Sequence, residues 1–450
     1  MKRRDFLKLS GMVGAGAAMP WVPTLNLFAA HDGYTGPLWL TVEARGGWDP
    51  TSMCDPKGSD NGASNPINDY PMASIGQIGN ILYAPPPNTF LPGGANYNAN
   101  LFSNQQFFER HYQRLLVING IHYKTNSHSD GQRTSWSGEL ARTGYPNFGA
   151  LVAGSLADER SIPFISNGGY SATGGLVASV RMNNTGIRAL YEIAYPNRTS
   201  PQNAGSALYH SNAAEALIKS ASAARQQALL AEQRLLRIQA TIASFIAARQ
   251  GAGHIKDFAD NLANVPEKPG AFFNGRGSAQ SLYRQGRIAL AAYETGVTAA
   301  AHLTIGGFDT HSDHDARHYP RLMDFLQGID AIIDEAVQRG LADRVVIVIG
   351  SDFGRTNKYN NDNGKDHWPV TSVMFWAAPA SITGNRVIGQ STNEHRAVPV
   401  NRSTLQPDAA GVELRTYHIH HALRNLAGVI APPEFRLPNE AAIDDLGLFS

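Results

Sequence analysis

The feature that most constrains this chain is the run Val345-Val346-Ile347-Val348-Ile349-Gly350. It has no polar alternation, so a strand made of these residues must be covered on both faces. That is the property of strands inside a mostly parallel sheet with helices packed above and below. Other apolar runs repeat the pattern: Leu38 to Ala44 in PLWLTVEARGGWDP (37–50), RLLVINGIHY (114–123), the strand in TAAAHLTIGGFDTHSDH (298–314) and SVMFWAAPA (372–380). Helical stretches fall between and after them. GALVAGSLADE (149–159) is one, and YHIHHALRNLAGV (417–429) closes the chain. Residues 320–339 place Leu322, Leu326, Ile329, Ile333 and Val337 on one face before Gly340. The alternation predicts an α/β fold with a mostly parallel central sheet and helices on both faces.

Two segments sit outside that alternation. APPPNTFLPGGANYNAN (84–100) reads as loop. In 212–250, Leu235, Ile238, Ile242 and Phe245 recur at three- and four-residue steps before Gly251, which predicts a helical insertion packed on the main domain.

The N-terminus, MKRRDFLKLSGMVGAGAAMPWVPTLNLFAA, carries Arg3-Arg4 and Phe6-Leu7 before a weak Gly/Ala stretch that ends near Ala29-Ala30. This resembles a twin-arginine export signal, taken as residues 1–30 and removed before His31. Its glycines each cost about 1 kcal/mol in a helix, against a cytosolic helical reading. The run is also too short to span a membrane. The expected address is periplasmic or secreted, the translocation machinery is an expected partner, and no transmembrane anchor is expected. Residues 31–450 can form one α/β domain, since 42% hydrophobic composition over this length buries a large core. Cys54 is the one cysteine, so packing and not an internal disulfide must hold the exported protein together. The formal net charge of +1, with no basic block, argues against nucleic acid as a partner.

Ligands of open α/β sheets bind beyond the carboxyl ends of the strands. Several apolar strands here end in metal-binding residue types: Asp49 after the first, Asp309 and His311 after another, Asp352 after the run quoted above. The following loop, SDFGRTNKYNNDNGKDHWP (351–369), adds Asp366 and His367. Asp309 and His311 lie two apart, so an extended backbone turns both to one side. A single Asp at a strand end is usually a turn residue or a helix cap. Repetition at several strand ends is what points to an ion. Carboxylates with imidazoles suit Zn, Mn or Fe, whereas carboxylates alone suit Ca or Mg.

The order GGWDP, NSHSDG, GFDTH, SDFGRT and GKDHWP resembles a bacterial exported family within the alkaline phosphatase and sulfatase superfamily, over roughly residues 37–430. The resemblance implies an alkaline phosphatase-like fold. It implies that Asp309, His311 and His367 hold one ion, Zn or Mn. Asp49 would be a metal ligand after the first strand, with Asp352 joining it at or bridging to a second ion, for which Ca or Mg is possible. It also implies a Ser nucleophile at a helix N-terminus, best matched by Ser127, with Ser129 and Thr125 as competitors and N-cap duty open to all three. Phe353 stands where many superfamily members have His, which removes one imidazole from the second ion. His314 competes with His311. Arg355 is a candidate for gripping a substrate oxyanion or for an ion pair. His128 is a candidate acid or ligand, and Asp366 would ligate or orient His367. Trp48 and Trp368 flank proposed ligands and could wall the site or pack in the core. His418, His420 and His421 read as packed or solvated. The implied function is a metal-dependent hydrolase of phosphate or sulfate esters acting on a small or polymer-linked anionic ester. The alternative is a catalytically degenerate relative that binds a metal or ligand at the cell envelope.

Overall fold

In the computed structural model, the strands are β1 (Leu38–Arg45), β2 (Gly76–Ile78), β3 (Ile81–Tyr83), β4 (Leu115–His122), β5 (Phe164–Ser166), β6 (Ser179–Val180), β7 (Ala300–Gly306), β8 (Val345–Ser351), β9 (Gly354–Arg355), β10 (His367–Trp368), β11 (Val370–Trp376) and β12 (Arg386–Ile388). The structure describes residues 34–450 apart from 61, 63–66, 87–101, 159, 236–237, 240–241 and 243–251. The export signal, most of the 84–100 loop, and Phe245 with Gly251 lie outside the described residues.

Eight strands form one sheet in the order β12-β4-β11-β8-β1-β7-β5-β6, while β2–β3 and β9–β10 are two-stranded ribbons. Within the large sheet, among the described residues, β11 alone runs antiparallel to both its neighbours, β4 and β8. The other pairings within the large sheet are parallel. Because side chains alternate across a strand, each central strand feeds two cores. Leu38, Leu40, Val42, Val345, Ile347 and Ile349 face one, with Leu322, Phe325 and Ile329 of the helix His314–Gln338 and Leu290 of the helix Gly277–Glu294. Trp39, Val346 and Val348 face the other, with Trp136 of the helix His128–Ser137, Phe148 of the helix Phe148–Leu156 and Leu423 of the helix Thr416–Ala427. This is the expected α/β architecture, and it aligns the carboxyl ends of β1, β4, β7 and β8 along one edge.

Three details differ from the sequence expectations. The helix expected at 320–339 begins at His314 and passes through Pro320, because His314 and His318 turn inward and give the first turns a buried face. At its far end Val337 is 56% exposed, so the predicted stripe stops one turn early. In the insertion, the helix Asn212–Glu232 ends at Gln233 and buries no side chain. Leu235 and Ile238 fall beyond that end and are exposed, so the expected packed face is absent among the described residues. Apolar residues are too sparse on this helix to make a core-facing stripe, and the contact Asn197 Nδ2 to Glu215 Oε2 at 2.8 Å ties its first turn to the preceding loop. The helices Asn104–His111, Asn184–Ala194, Ala252–Asn264 and Gly277–Glu294 had no clear sequence signature.

On the C-terminal helix, His418 and His420 are buried and His421 is half-buried. His418 Nδ1 accepts the Arg415 backbone N–H at 3.1 Å, and the His420 ring meets the Ser135 carbonyl at 2.8 Å. Burial lowers both pKa values, to about 4 for His418 and about 3 for His420, from 6.5. Between these values and 6.5 the unfolded chain binds more protons than the folded one, so stability falls as pH drops through that window. We expect Tm to decline less steeply between pH 6.5 and 4 in His418→Gln than in the parent. Superimposable pH–Tm curves would refute this account.

Candidate metal centre

The carboxyl edge of the sheet delivers the candidate residues from five directions. β1 leads through Gly46-Gly47 to Asp49, β4 leads to Asn126, Ser127 and His128, and β7 leads to Asp309 and His311. β8 ends beside Asp352, and the ribbon β9–β10 carries Arg355 and His367. The turn after β1 requires glycine at two places. Gly46 has φ 118° and Gly47 φ 85°, and a Cβ would fall 2.4 Å from the Asp309 amide nitrogen at the first and 2.5 Å from the Phe353 ring at the second. With no side chains in the way, both amides donate to Asp352 Oδ1, at 3.0 and 2.5 Å.

Three imidazoles converge on Asp309. His311 Nε2 lies 3.0 Å and His367 Nε2 3.1 Å from Asp309 Oδ1, and His128 Nε2 lies 3.4 Å from Oδ2. His128, Asp309 and His367 offer ligand atoms all within 4.8 Å of one another, and His311 abuts that set along its Asp309–His367 side. Each ring is held from behind through Nδ1. Asp352 Oδ2 holds His128 at 2.6 Å, Asp366 Oδ1 holds His311 at 2.7 Å, and the Asn126 carbonyl holds His367 at 2.8 Å. A proton donated from Nδ1 leaves Nε2 as a lone pair aimed inward. His311 Nε2 and His367 Nε2 are 3.0 Å apart, so a proton or a cation must lie between two lone pairs that would otherwise repel. Imidazole nitrogens of His128 and His367 and a carboxylate oxygen of Asp309, with His311 alongside, form a donor set of the kind that suits a divalent metal ion.

The electrostatics agree with that fit. Burial pushes the Asp309 carboxyl up, but the Arg355 guanidinium and the His367 ring beside it outweigh it and hold the group well below the usual carboxylate range. The His311 contact does the same for Asp366. Burial lowers His367, favouring the neutral ligand form, whereas the hydrogen bond to Asp352 raises His128. The Asp309 side chain is 46% exposed and that of His367 21%, so the cluster opens to solvent as a reactive site must.

Asp309, His311 and His367 are therefore brought together as the sequence suggested, with Asp366 behind His311 and not behind His367. Several expectations change. Asp352 is fully buried and spent on Gly46, Gly47, Ser351 and His128, so it orients an imidazole where the sequence reading gave it an ion. Asp49 lies apart from the cluster, with Oδ2 on Lys365 Nζ at 2.6 Å; burial pushes its carboxyl up, and the Lys365 charge wins and holds it well below the usual range. Arg355 is fully buried and donates to the carbonyls of Gly46, Gly47, Phe308 and Lys365 and to Asp309 Oδ1, so its guanidinium is not free to grip a substrate. Phe353 packs its ring 4.8 Å from His128 and 4.4 Å from His367, centroid to centroid, and His128 supplies an imidazole from the neighbouring helix.

His314 lies on the Asp49 side, with Nε2 3.4 Å from Asp49 Oδ2, and does not take the role of His311. Ser127 is the exposed N-cap of the helix His128–Ser137 and makes no side-chain bond to the first-turn amides. Its Oγ sits 3.2 Å from Ser129 Oγ, and its backbone N–H donates to Thr125 Oγ1 at 3.2 Å. Trp48 belongs to the core and Trp368 is half-buried near His395. Sequence reasoning missed Lys365, Asn68, His318 and the Asn126 carbonyl. Lys365 stood inside the quoted motif GKDHWP, where an acid–base pair drew attention from the lysine before it.

If Asp352 acts by aiming His128, Asp352→Asn should keep the fold and weaken divalent-ion binding about 10- to 100-fold. A titration of the apo protein against a competing chelator measures this. Unchanged affinity would rule out the orienting role.

The chain belongs to the family described as "Protein of unknown function (DUF1501)", which matches residues 39–408. Residues 1–20 match the twin-arginine translocation pathway signal sequence, so the protein is exported to the periplasm or beyond. Among the described residues no helix is long and apolar enough to cross a membrane. No curated protein matches the chain. It is similar to solved structures at long range. Ps i-CgsB in complex with k-i-k-neocarrahexaose has a TM-score of 0.39 and 9% identity, covering 90% of this chain and 74% of that one. The lipoteichoic acid synthase LtaP from Listeria monocytogenes has 0.35 and 8%, covering 90% and 77%. The alkaline phosphatase from the Antarctic bacterium TAB5 has 0.34 and 9%, covering 88% and 100%. Similarity this distant says nothing of activity.

Proposed function

We propose that this exported family member is a metal-dependent hydrolase of phosphate or sulfate esters. The observation that carries the reading is the convergence of His128, His311 and His367 on Asp309 beside an exposed serine at a helix N-terminus. We read residues 31–450 as one domain with a helical insertion near 212–250. His128, Asp309, His311 and His367 would hold the ion, with Asp352, Asp366 and the Asn126 carbonyl fixing the rings. A divalent ion bound there supplies Lewis-acid polarisation of an ester oxygen and lowers the pKa of a nearby hydroxyl.

The chain's own residues account for binding and attack. First-turn amides of the helix His128–Ser137, which Ser127 leaves uncapped, favour an anion and are suited to a tetrahedral phosphate or sulfate group. The residues on either side of Ser127 both belong to the cluster, Asn126 through its carbonyl and His128 through its ring, so the serine is tethered at both ends. Ser127 Oγ would bond to phosphorus or sulfur as the ester oxygen departs, and water would then hydrolyse the serine ester. Solvent reaches Ser127 and can exchange protons with it and with the departing alcohol.

A second reading, metal or ligand binding without turnover, is favoured by one observation. The hydrogen-bond partner of the Ser127 hydroxyl among the described residues is another hydroxyl, Ser129, and not a base. One experiment separates the two. Elemental analysis of the purified protein should find Zn or Mn, and a screen of phosphate and sulfate esters should find turnover that chelation removes and metal restores. Ser127→Ala should then lower kcat by about 10³-fold or more, and Ser129→Ala by far less. Bound metal with no turnover on either ester class would establish the second reading. A metal-free protein with unaltered turnover would remove both.

A further inference from the structure

Asp49 is the residue at which the sequence resemblance put a second ion, and a cation does sit there. It is the ammonium of Lys365. Nζ lies 2.6 Å from Asp49 Oδ2 and 2.8 Å from Asn68 Oδ1, and the side chains of both Asp49 and Lys365 are fully inaccessible to solvent. Asp49 Oδ1 is satisfied separately, by the Thr51 amide at 2.9 Å and the Thr51 hydroxyl at 2.6 Å. Oδ2 also has the Ser52 hydroxyl at 3.4 Å and His314 as neighbours. The His314 Nδ1 meets Thr310 Oγ1 at 2.7 Å, while its fully buried Nε2 faces Oδ2 at 3.4 Å. A carboxylate and an amide oxygen thus hold one buried positive charge, with an imidazole nitrogen facing the same carboxylate oxygen.

We infer that Lys365 is a resident cation in the place of a second metal ion, so that the protein carries a one-ion centre, and that removing the lysine uncovers a divalent-ion site made by Asp49, Asn68 and His314. The inference takes from the proposed function only that His128, Asp309, His311 and His367 form the first centre. A buried carboxylate needs a counter-charge. The donor types left around it, oxygen and imidazole, are those of a Zn or Mn site. Lys365 also has a structural hold on the first centre. Its carbonyl accepts from Arg355 Nη1 at 2.9 Å, its N–H donates to the Thr310 carbonyl at 3.0 Å, and the next two residues are Asp366 and His367. The same residue that supplies a fixed charge inside thus sets the strand that presents a ligand outside.

The test removes the first centre so that the two readings fail separately. In the Asp309→Ala background, zinc retained after gel filtration should be well below one equivalent per chain. Adding Lys365→Ala should raise it to about one equivalent, and adding Asn in place of Asp49 to that double variant should abolish the gain. Uptake of a full equivalent by Asp309→Ala alone, lost when Asp49 is also replaced, would overturn the inference. So would a folded double variant, judged by circular dichroism, that retains no more zinc than Asp309→Ala. Should Lys365→Ala not fold, Lys365→Met in the same background gives a second chance at the measurement, and the parent protein decides otherwise. Anomalous scattering from a zinc-soaked crystal of the parent must lack an ion at Asp49, and an ion there overturns the proposal. An ion missing from the three-histidine cluster of the parent would instead count against the proposed centre.

Discussion

Arg355 holds the functional edge together. Its guanidinium is buried without solvent contact and reaches carbonyls from the turn after β1, the loop after β7 and the segment before His367, as well as the Asp309 carboxylate. Backbone carbonyls at strand ends are left over by the sheet ladder and must be satisfied when buried. One planar group with five donors can satisfy several of them in a fixed geometry, which a lysine ammonium would not reproduce. The loops that carry Asp309 and His367 are thereby tied to the same atom cluster, and their approach does not depend on an ion being present.

Around that staple the charges separate into two layers. The inner layer holds Asp49, Lys365, His314 and His318, all buried, with burial lowering His314 to about 4 and His318 well below the ordinary imidazole range. Neutral imidazoles beside a paired carboxylate and ammonium make a rigid, dry base. The outer layer holds Asp309, His128, His311 and His367, which solvent reaches. Asp352 lies between the layers, with one oxygen on the glycine turn and the other on His128. A fixed interior under an open donor set is what preorganisation requires, since the ligands need not pay for ordering when an ion or substrate arrives.

The parts of this arrangement that were legible in the sequence are those governed by local periodicity. β8 was readable because its alternate residues enter two cores, and Asp309 with His311 because extended backbone turns residues two apart to one side. The helix start at Ser127, implied by the family resemblance, is that of the helix His128–Ser137 in the structure. What could not be read was which partner each polar group finds across distances of 46 to 316 residues. Asp352 and Asp49 look alike in sequence, each an acid after an apolar strand, yet one meets His128 and the other Lys365. Arg355 in SDFGRT read as a substrate-gripping or ion-paired cation because nothing local reports the carbonyls of Gly46, Gly47 and Phe308. The helix at Gly277–Glu294 was hidden for a related reason: its buried residues include Gly286, Arg287 and several alanines, so hydrophobicity alone marks no stripe.

The substitution of Phe353 for a histidine looks like a loss when the chain is read linearly and like an exchange when it is read in space. The phenylalanine ring lies against both His128 and His367, where an apolar surface fixes ring orientation without competing for their nitrogens. Its backbone neighbour Asp352 then has an oxygen to spare for His128, at 2.6 Å. An imidazole at position 353 would bring a second polar group needing a partner in a buried place. Drawing the third imidazole from the helix that starts beside Ser127 has a further consequence. Any shift of that helix moves Ser127, the first-turn amides and one ring of the cluster together, so these parts stay in register.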